Sequence, residues 1–196
     1  MKANRPSHSA FLIAASLLLV PALAQAHPGH SGAGFIPGFA HPLSGADHLL
    51  AMVAVGLWAA QLGGRALWAV PAAFVSVMML GGALGMAHMP VPFAEQGILL
   101  SVLVLGVLIA AAARLPLTAS IAIVGLFALC HGFAHGAEMP ENAAGIAYGA
   151  GFVLTTAFLH ACGIGAGLAI KSLATRQWVR FAGVAIAIGG VMLCIH

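Results

Sequence analysis

Residues 38–58 read GFAHPLSGADHLLAMVAVGLW. A cluster of polar groups, ending in Asp47 and His48, runs directly into an unbroken apolar stretch. Apolar stretches of this kind form helices that cross the hydrocarbon core of a bilayer. Pro42 and Gly45 interrupt helices, so we expect a break just before the apolar stretch. The pattern therefore predicts a membrane helix with ionisable groups at its beginning and a broken segment in front of it.

The composition places the rest of the chain in the same environment. Of 196 residues, 62% are hydrophobic and 6% are charged, whereas soluble domains carry about 25% charged residues. The formal net charge of +3 is small and scattered, which excludes a nucleic-acid interface. The 25 glycines suit membrane helices that pack closely through small side chains. We therefore expect an all-α, polytopic membrane helix bundle whose surroundings are the lipid bilayer.

Six apolar segments approach the bilayer-spanning length of about 20 residues. Short connections join them, several containing proline, and no separate soluble domain interrupts them. A shorter apolar stretch, Gly34 to Ala40, precedes the first segment and is predicted to be a re-entrant or half-helix leading into His41 and Pro42. The predicted transmembrane segments are residues 46–62, 66–88, 95–113, 117–137, 143–170 and 178–195.

The N-terminus has the three parts of a secretory signal peptide. The basic region, the apolar region and the small-x-small cleavage site are Lys2 with Arg5, Ala10 to Val20, and Ala24-Gln25-Ala26. An uncleaved signal anchor is the alternative, which the short apolar region disfavours. We expect residues 1–26 to be removed and residues 27–196 to form a single transmembrane domain.

Cleavage after Ala26 makes His27 the mature N-terminus, with His30 close behind it. A terminal histidine offers its amine and its imidazole together to a borderline divalent ion. Pro28 has no amide proton, so its nitrogen cannot join as a deprotonated ligand. The alternative is a disordered polar leader that happens to contain histidine. His27 and His30 are therefore candidate ligands for capturing a metal ion outside the membrane.

The distribution of charge predicts the orientation of the bundle. With an exported N-terminus, six crossings put every basic residue after the signal on the cytoplasmic side, as the positive-inside rule requires. These residues are Arg65, Arg114, Lys171, Arg176 and Arg180. The four acids and most of the ten histidines fall toward the opposite face. We expect a multi-pass protein of the bacterial inner membrane with both mature termini in the periplasm.

The first candidate metal site is the H-x5-D-H pattern that His41, Asp47 and His48 form. A helix break at Pro42 or Gly45 would let His41 fold back toward the other two, closing a site of one carboxylate and two imidazoles. Imidazole suits nickel, copper, zinc and cobalt. The alternative is that Asp47 caps the following helix and His48 is a core residue. Three costly groups within eight residues at membrane depth favour the metal site.

The second candidate is the segment CHGFAHGAE, residues 130–138. His131, His135 and Glu138 follow the i, i+4, i+7 spacing of one helix stripe. Polar side chains that join helices by hydrogen bonds are the alternative, which explains one histidine better than three groups on one stripe. We expect this stripe to face the H-x5-D-H segment and complete the metal site.

Two further residues are weaker candidates. His160 is predicted near mid-membrane, where it either passes an ion or proton inward or donates a structural hydrogen bond. Glu95 begins the third segment and is either an entrance carboxylate or a first-turn acid stabilised by the helix dipole.

Several motifs of this sequence resemble those of a known family. The stretch from Gly38 to Trp58, PAAF ending at Phe74, Glu95, HGFAHGAE at 131–138 and TAFLHACG at 156–163 look like the HupE/UreJ family of nickel/cobalt permeases. The resemblance covers essentially the whole mature chain. It implies uptake of Ni²⁺ or Co²⁺ for enzymes such as hydrogenase or urease. It also implies functional roles for His41, Asp47, His48, Phe74, Glu95, His135 and Glu138.

The expected function is therefore metal uptake without enzymatic activity. No nucleotide-binding motif and no metalloprotease H-E-x-x-H pattern is present, and no prosthetic group is expected. The ion would be captured at His27 and His30, pass through the two candidate sites, and move inward past His160. A copper or zinc carrier is one alternative. A membrane metal sensor or assembly factor that binds without translocating is another.

Overall fold

The computed structural model describes residues 34–139, 143–173 and 177–195, and these ranges contain helices and no strand. Every predicted transmembrane segment coincides with a helix, and the short stretch before the first segment is a helix of its own. The helices are α1 (Phe35–Ser44), α2 (Ala46–Leu62), α3 (Ala66–Met86), α4 (Ala94–Ala110), α5 (Leu117–Glu138), α6 (Ala143–Leu173) and α7 (Gln177–Ile195). The predicted all-α class is confirmed.

The helices differ in whether their length suffices to cross a bilayer. By length and composition, α3, α5, α6 and α7 are candidate membrane spans, and the bent pair of α1 and α2 is a fifth. Helix α4 is apolar but has 17 residues. At about 1.5 Å per residue it reaches about 26 Å, slightly less than the roughly 30 Å of a hydrocarbon core. The chain is thus a multi-pass helical bundle with four to five candidate spans and one shorter apolar helix.

The predicted break in front of the first span is present, and it lies at Gly45. Helix α1 continues through Pro42 to Ser44, and Gly45 then adopts an extended conformation with φ −97° and ψ 125°. The axes of α1 and α2 differ by 82°. Of the two residues predicted to mark the break, Gly45 is the one at which it lies. Pro42 lies inside α1, two residues before its end, where it leaves the Gly38 carbonyl without a helical N–H donor.

Glycines bring α3 and α5 into direct backbone contact. A Cβ atom on Gly132 or Gly136 of α5 would collide with the backbone of α3 around Gly82. The same holds for Gly81 and Gly85 of α3 against α5. Small residues let membrane helices approach this closely because no side chain separates the backbones. This pairing holds the histidine-bearing part of α5 at a fixed height beside α3.

The two ends of the bundle differ in chemistry. One end, here the histidine end, carries the beginning of α2 and α4 and the end of α5, with Asp47, Glu95 and Glu138. The other, the basic end, carries the opposite termini of those helices. There Lys171 Nζ donates to the Ala60 carbonyl at 2.8 Å and Arg180 Nε to the Ala110 carbonyl at 2.8 Å. The described charged residues are therefore sorted by sign, as the sequence predicts. Glu141 and Arg176 lie outside the described residues.

Candidate metal centre

Three histidines from three helices meet at the histidine end. His41 of α1, His48 of α2 and His135 of α5 each offer one ring nitrogen, and these nitrogens lie within 4.8 Å of one another. His48 is 4% exposed and His135 is 9% exposed. Metal–imidazole bonds measure about 2.0–2.1 Å, so small shifts of the three rings would let one ion contact all of them. We call this group the three-histidine centre.

The local structure of the chain explains how these rings meet. The extended Gly45 turns α1 sharply against α2, which brings His41 back to a ring-centroid distance of 5.7 Å from His48. A Cβ on Gly45 would stand 2.6 Å from the Asp47 carboxylate and 3.3 Å from the His48 ring. Glycine at this position therefore leaves the space in which the Asp47 and His48 side chains lie.

Asp47 contacts His48 and is not one of the residues whose ligand atoms converge. Its Oδ1 accepts a hydrogen bond from His48 Nδ1 at 2.8 Å and another from the His48 backbone N–H at 2.7 Å. Because Nδ1 donates its proton to the carboxylate, the neutral ring presents Nε2 as a bare ligand atom. Carboxylate–histidine pairs of this kind orient the ligands of many metal sites. Asp47 thus contacts His48 and is not among the residues whose ligand atoms converge, and its role as a direct ligand stays a prediction.

The Nε2 atoms of His48 and His135 face each other 2.5 Å apart. At this distance one ring donates a proton to the other. The Asp47 contact makes His48 Nε2 the acceptor, so His135 Nε2 carries the proton. An ion bound by both rings would take the place of this proton and move the nitrogens apart. The contact therefore marks the point at which a cation and a proton compete for the same nitrogens.

Aromatic side chains of α6 enclose the three-histidine centre. The ring of Phe152 lies 4.8 Å from that of His135 and 5.9 Å from that of His41, and Tyr148 lies 6.0 Å from His41. Such walls exclude water and strengthen electrostatic contacts inside the site. Neither residue was predicted from the sequence. Their i, i+4 spacing at the start of an apolar helix was the available signal, and it is shared by many packing residues.

His131 lies one helical turn deeper on α5 than His135. It is fully buried, and its ring centroid is 4.8 Å from that of His48. His131 Nε2 is 3.1 Å from Ser101 Oγ on α4. The sequence predicted His131 as part of the metal site. It neighbours the three-histidine centre, and its nitrogens are not among the converging set.

His160 and Phe74 continue this line into the bundle. Phe74 of α3 is fully buried, with its ring centroid 5.7 Å from that of His131 and 5.1 Å from that of His160. His160 is 2% exposed, and neither of its ring nitrogens has a hydrogen-bond partner among the described residues. A structural hydrogen bond, the alternative weighed for His160, is therefore absent from the described part of the chain.

The remaining predicted residues do not join the centre. Glu95 and Glu138 are exposed at the histidine end. The expected stripe of His131, His135 and Glu138 therefore divides, since the two histidines point into the bundle and Glu138 reaches its surface. His27 and His30 lie outside the described residues.

The chain matches known proteins over nearly its whole length. The family model described as "HupE / UreJ protein" matches residues 15–193. The chain belongs to the HupE/UreJ family. Protein HupE of Rhizobium leguminosarum bv. viciae is 43% identical over 178 residues, covering 91% of this chain and 93% of that relative. No solved structure matches the chain. The HupE/UreJ family is associated with nickel and cobalt transport, and the buried three-histidine centre of this member has donor chemistry that suits such ions.

Proposed function

We propose that this protein is a permease that takes up Ni²⁺ or Co²⁺ from the periplasm across the bacterial inner membrane. The observation that carries the proposal is the three-histidine centre, buried at one end of a multi-pass bundle in a member of the HupE/UreJ family. Imidazole nitrogens bind borderline divalent ions, and a buried cluster of ionisable groups at membrane depth is costly unless it is used.

The orientation of the bundle in the membrane follows from the positive charges at the basic end. The positive-inside rule assigns Arg65, Arg114, Lys171 and Arg180 to the cytoplasm, and the histidine end then faces the periplasm. Counting α1 with α2 as one broken span and α4 as a short span gives six crossings. Residues 1–26 act as a cleaved signal peptide, residues 27–196 form the permease domain, and both mature termini are periplasmic.

The transport path begins at the periplasmic face and ends past mid-membrane. His27 and His30 capture a dilute ion, with the exposed Glu95 and Glu138 attracting cations to the entrance.

The ion then exchanges its water for His41, His48 and His135, with His48 held by Asp47. The break between α1 and α2 allows the centre to rearrange, and the ion moves inward along His131, Phe74 and His160.

The membrane potential suffices to drive this movement. A divalent cation gains about 4.6 kcal/mol per 100 mV of inside-negative potential. That free energy corresponds to roughly three decades of accumulation at equilibrium. The family association further suggests that the imported ion supplies maturation of hydrogenase or urease.

Metal binding without translocation is the second candidate function. It is favoured by the absence, within residues 34–139, 143–173 and 177–195, of a second ligand cluster at the basic end. A sensor or assembly factor needs only the histidine end. Copper and zinc also suit imidazole ligands, and a carrier for either ion would use the same centre.

Radiotracer uptake into proteoliposomes tests the proposal. With an inside-negative potential, we expect the wild type to accumulate ⁶³Ni²⁺ or ⁵⁷Co²⁺, and His48→Ala to lose at least about 100-fold of that uptake because a ligand is removed. Cys194→Ala serves as a control, since it removes an exposed metal-capable side chain of α7 and should transport normally. Unlabelled Cu²⁺ and Zn²⁺ as competitors rank the ions.

Two outcomes would contradict the proposal. Tight nickel binding with no flux at any potential supports a sensor or assembly factor. Uptake of copper or zinc in preference to nickel and cobalt supports the other carriers. N-terminal sequencing of the purified protein determines whether His27 is the first residue.

A further inference from the structure

His131 occupies the position between the three-histidine centre and the interior of the bundle. Its ring centroid is 4.8 Å from His48 on one side and 5.7 Å from Phe74 on the other. Phe74 in turn contacts His160, at 5.1 Å between ring centroids. A cation that moves from the three-histidine centre toward Phe74 and His160 would therefore pass beside the ring of His131.

The hydroxyl of Ser101 decides which nitrogen of His131 carries the proton. Ser101 Oγ lies 2.6 Å from the Ile98 carbonyl, which can only accept, so the single hydroxyl proton is donated there. Toward His131 Nε2, at 3.1 Å, Ser101 Oγ is consequently an acceptor. His131 Nε2 must therefore be the protonated nitrogen. In the neutral ring, Nδ1 is left as a bare lone pair.

The bare nitrogen has no protein partner among the described residues. His131 is fully buried, and its Nδ1 makes no hydrogen bond there. A buried acceptor without a partner carries a free-energy cost, and a passing divalent cation would satisfy it. A protonated Nδ1, by contrast, would repel the ion. The hydrogen bond from Nε2 to Ser101 also restrains the orientation of the ring.

We propose that Ser101 is a positioning residue that holds His131 as the first acceptor of the ion leaving the three-histidine centre. The inference rests on the proposed uptake function and adds a residue and a defined proton position to it. Ser101 stands alone within the apolar segment ILLSVLV, residues 98–104, and nothing in its sequence context distinguishes it from a serine that bonds only to its own helix.

The chain provides a matched control for this proposal. Ser172 Oγ also donates to the carbonyl three residues earlier, Ala169 O at 2.9 Å, and it is exposed on α6. Ser172→Ala therefore removes the same local hydrogen bond without touching a histidine. Ser101→Thr keeps a hydroxyl at the same place, so it should restore whatever Ser101→Ala loses.

The proton position is tested by ¹⁵N NMR of histidine-labelled protein in lipid nanodiscs. The His131 signals are identified by their absence in His131→Gln. We expect the wild type and Ser172→Ala to show a protonated, hydrogen-bonded Nε2 and a bare Nδ1. In Ser101→Ala the hydrogen-bond signature of the Nε2 proton should disappear. A wild-type His131 protonated at Nδ1, or signals unchanged in Ser101→Ala, would overturn the assignment.

The role in transport is tested separately. Ser101→Ala should bind Ni²⁺ as tightly as the wild type but transport it about fivefold more slowly, the factor that loss of one buried hydrogen bond corresponds to. Ser101→Thr should recover the rate. Equal nickel transport rates for Ser101→Ala and Ser172→Ala would refute the positioning role of Ser101 and would leave the proposed function standing. A wild type that transports no metal would refute the proposed function, while the NMR result would still test the proton position.

Discussion

The histidine end and the basic end of this bundle are built from opposite chemistry. The histidine end holds three converging imidazoles, of which His48 is paired with Asp47 at 2.8 Å. The basic end contains a cavity of about 330 Å³ lined in part by Arg114, Lys171 and Gln61. Among the residues that the structure describes, no group of metal ligands lies there.

In the proposed permease, this difference would allow a cation to be bound at one end of the bundle and released at the other. Imidazoles hold a borderline divalent ion where it enters, whereas the positive charges of Arg114 and Lys171 offer it no ligand where it leaves. In the proposed path, an ion that passes His160 would meet no second cluster of metal ligands among residues 34–139, 143–173 and 177–195. The contrast predicts that changes at the histidine end affect binding strongly, and that changes at the basic end do not.

Removing the negative charge of Asp47 should have the largest effect. In Asp47→Asn the amide cannot stabilise the donated His48 proton as a carboxylate does, so Nε2 is less firmly presented to the ion. Loss of such an outer-shell partner weakens metal affinity by about 10- to 100-fold. Isothermal titration with Ni²⁺ measures this change, with Cys194→Ala as the control. Affinity equal to that of the wild type would show that Asp47 does not orient the ligand.

Filling the space at Gly45 should have a smaller effect on the same site. The backbone of Gly45 is extended and accessible to alanine, but the added Cβ would stand 2.6 Å from the Asp47 carboxylate. We expect Gly45→Ala to displace the Asp47–His48 pair and to lower nickel affinity about tenfold. The control is Gly165→Ala, where a Cβ meets nothing within 4 Å. A normal affinity in Gly45→Ala would separate the helix break from the geometry of the centre.

Gly132→Ala should lower the stability of the bundle more than it weakens metal binding. The new Cβ would collide with the Met78 carbonyl and force α3 and α5 apart. Overpacking of this kind costs about 1–3 kcal/mol, which a thermal unfolding scan in detergent detects. Gly125→Ala is the matched control on the same two helices, since its Cβ would make an ordinary contact 3.6 Å from Val77. Equal melting temperatures for the two variants would contradict the close pairing of α3 with α5.

Neutralising Lys171 should have the smallest effect on metal binding. Lys171→Gln removes a positive charge and a hydrogen bond to the Ala60 carbonyl at the basic end. The exposed charge is separated from the three-histidine centre by the length of the bundle and is screened by salt. We therefore expect the nickel dissociation constant to stay within about twofold of the wild-type value. A tenfold change would mean that the two ends are coupled.

Much of the fold was predictable because the bilayer imposes strict rules on sequence. Each apolar segment had to satisfy its backbone hydrogen bonds internally, so each had to be a helix. Counting the predicted membrane crossings between Asp47 and Lys171 placed the two residues at opposite ends of the bundle. The break before α2 was signalled by Pro42 and Gly45 together, and the structure assigns it to Gly45, since α1 continues through Pro42 to Ser44.

It was harder to predict from the sequence which residues form the metal centre. Sequence spacing puts His131, His135 and Glu138 on one helix stripe, yet the two histidines are buried and Glu138, the last residue of α5, is exposed. Spacing along one helix does not specify which neighbouring helix a side chain meets. The hydrogen bond of His131 to Ser101 spans two helices, so no local pattern could reveal it.

Sequence alone is enough to predict the helical class, the separation of charge between the two ends, and the H-x5-D-H segment beside a helix break. Apolar length, charge sign and local turn chemistry are properties of the chain, and they act before any helix packs against another. The packing of the helices places Asp47 against His48, brings His135 to the centre, and sets Ser101 beside His131. Those outcomes depend on the rotation and approach of helices, which glycine contacts between distant parts of the chain establish.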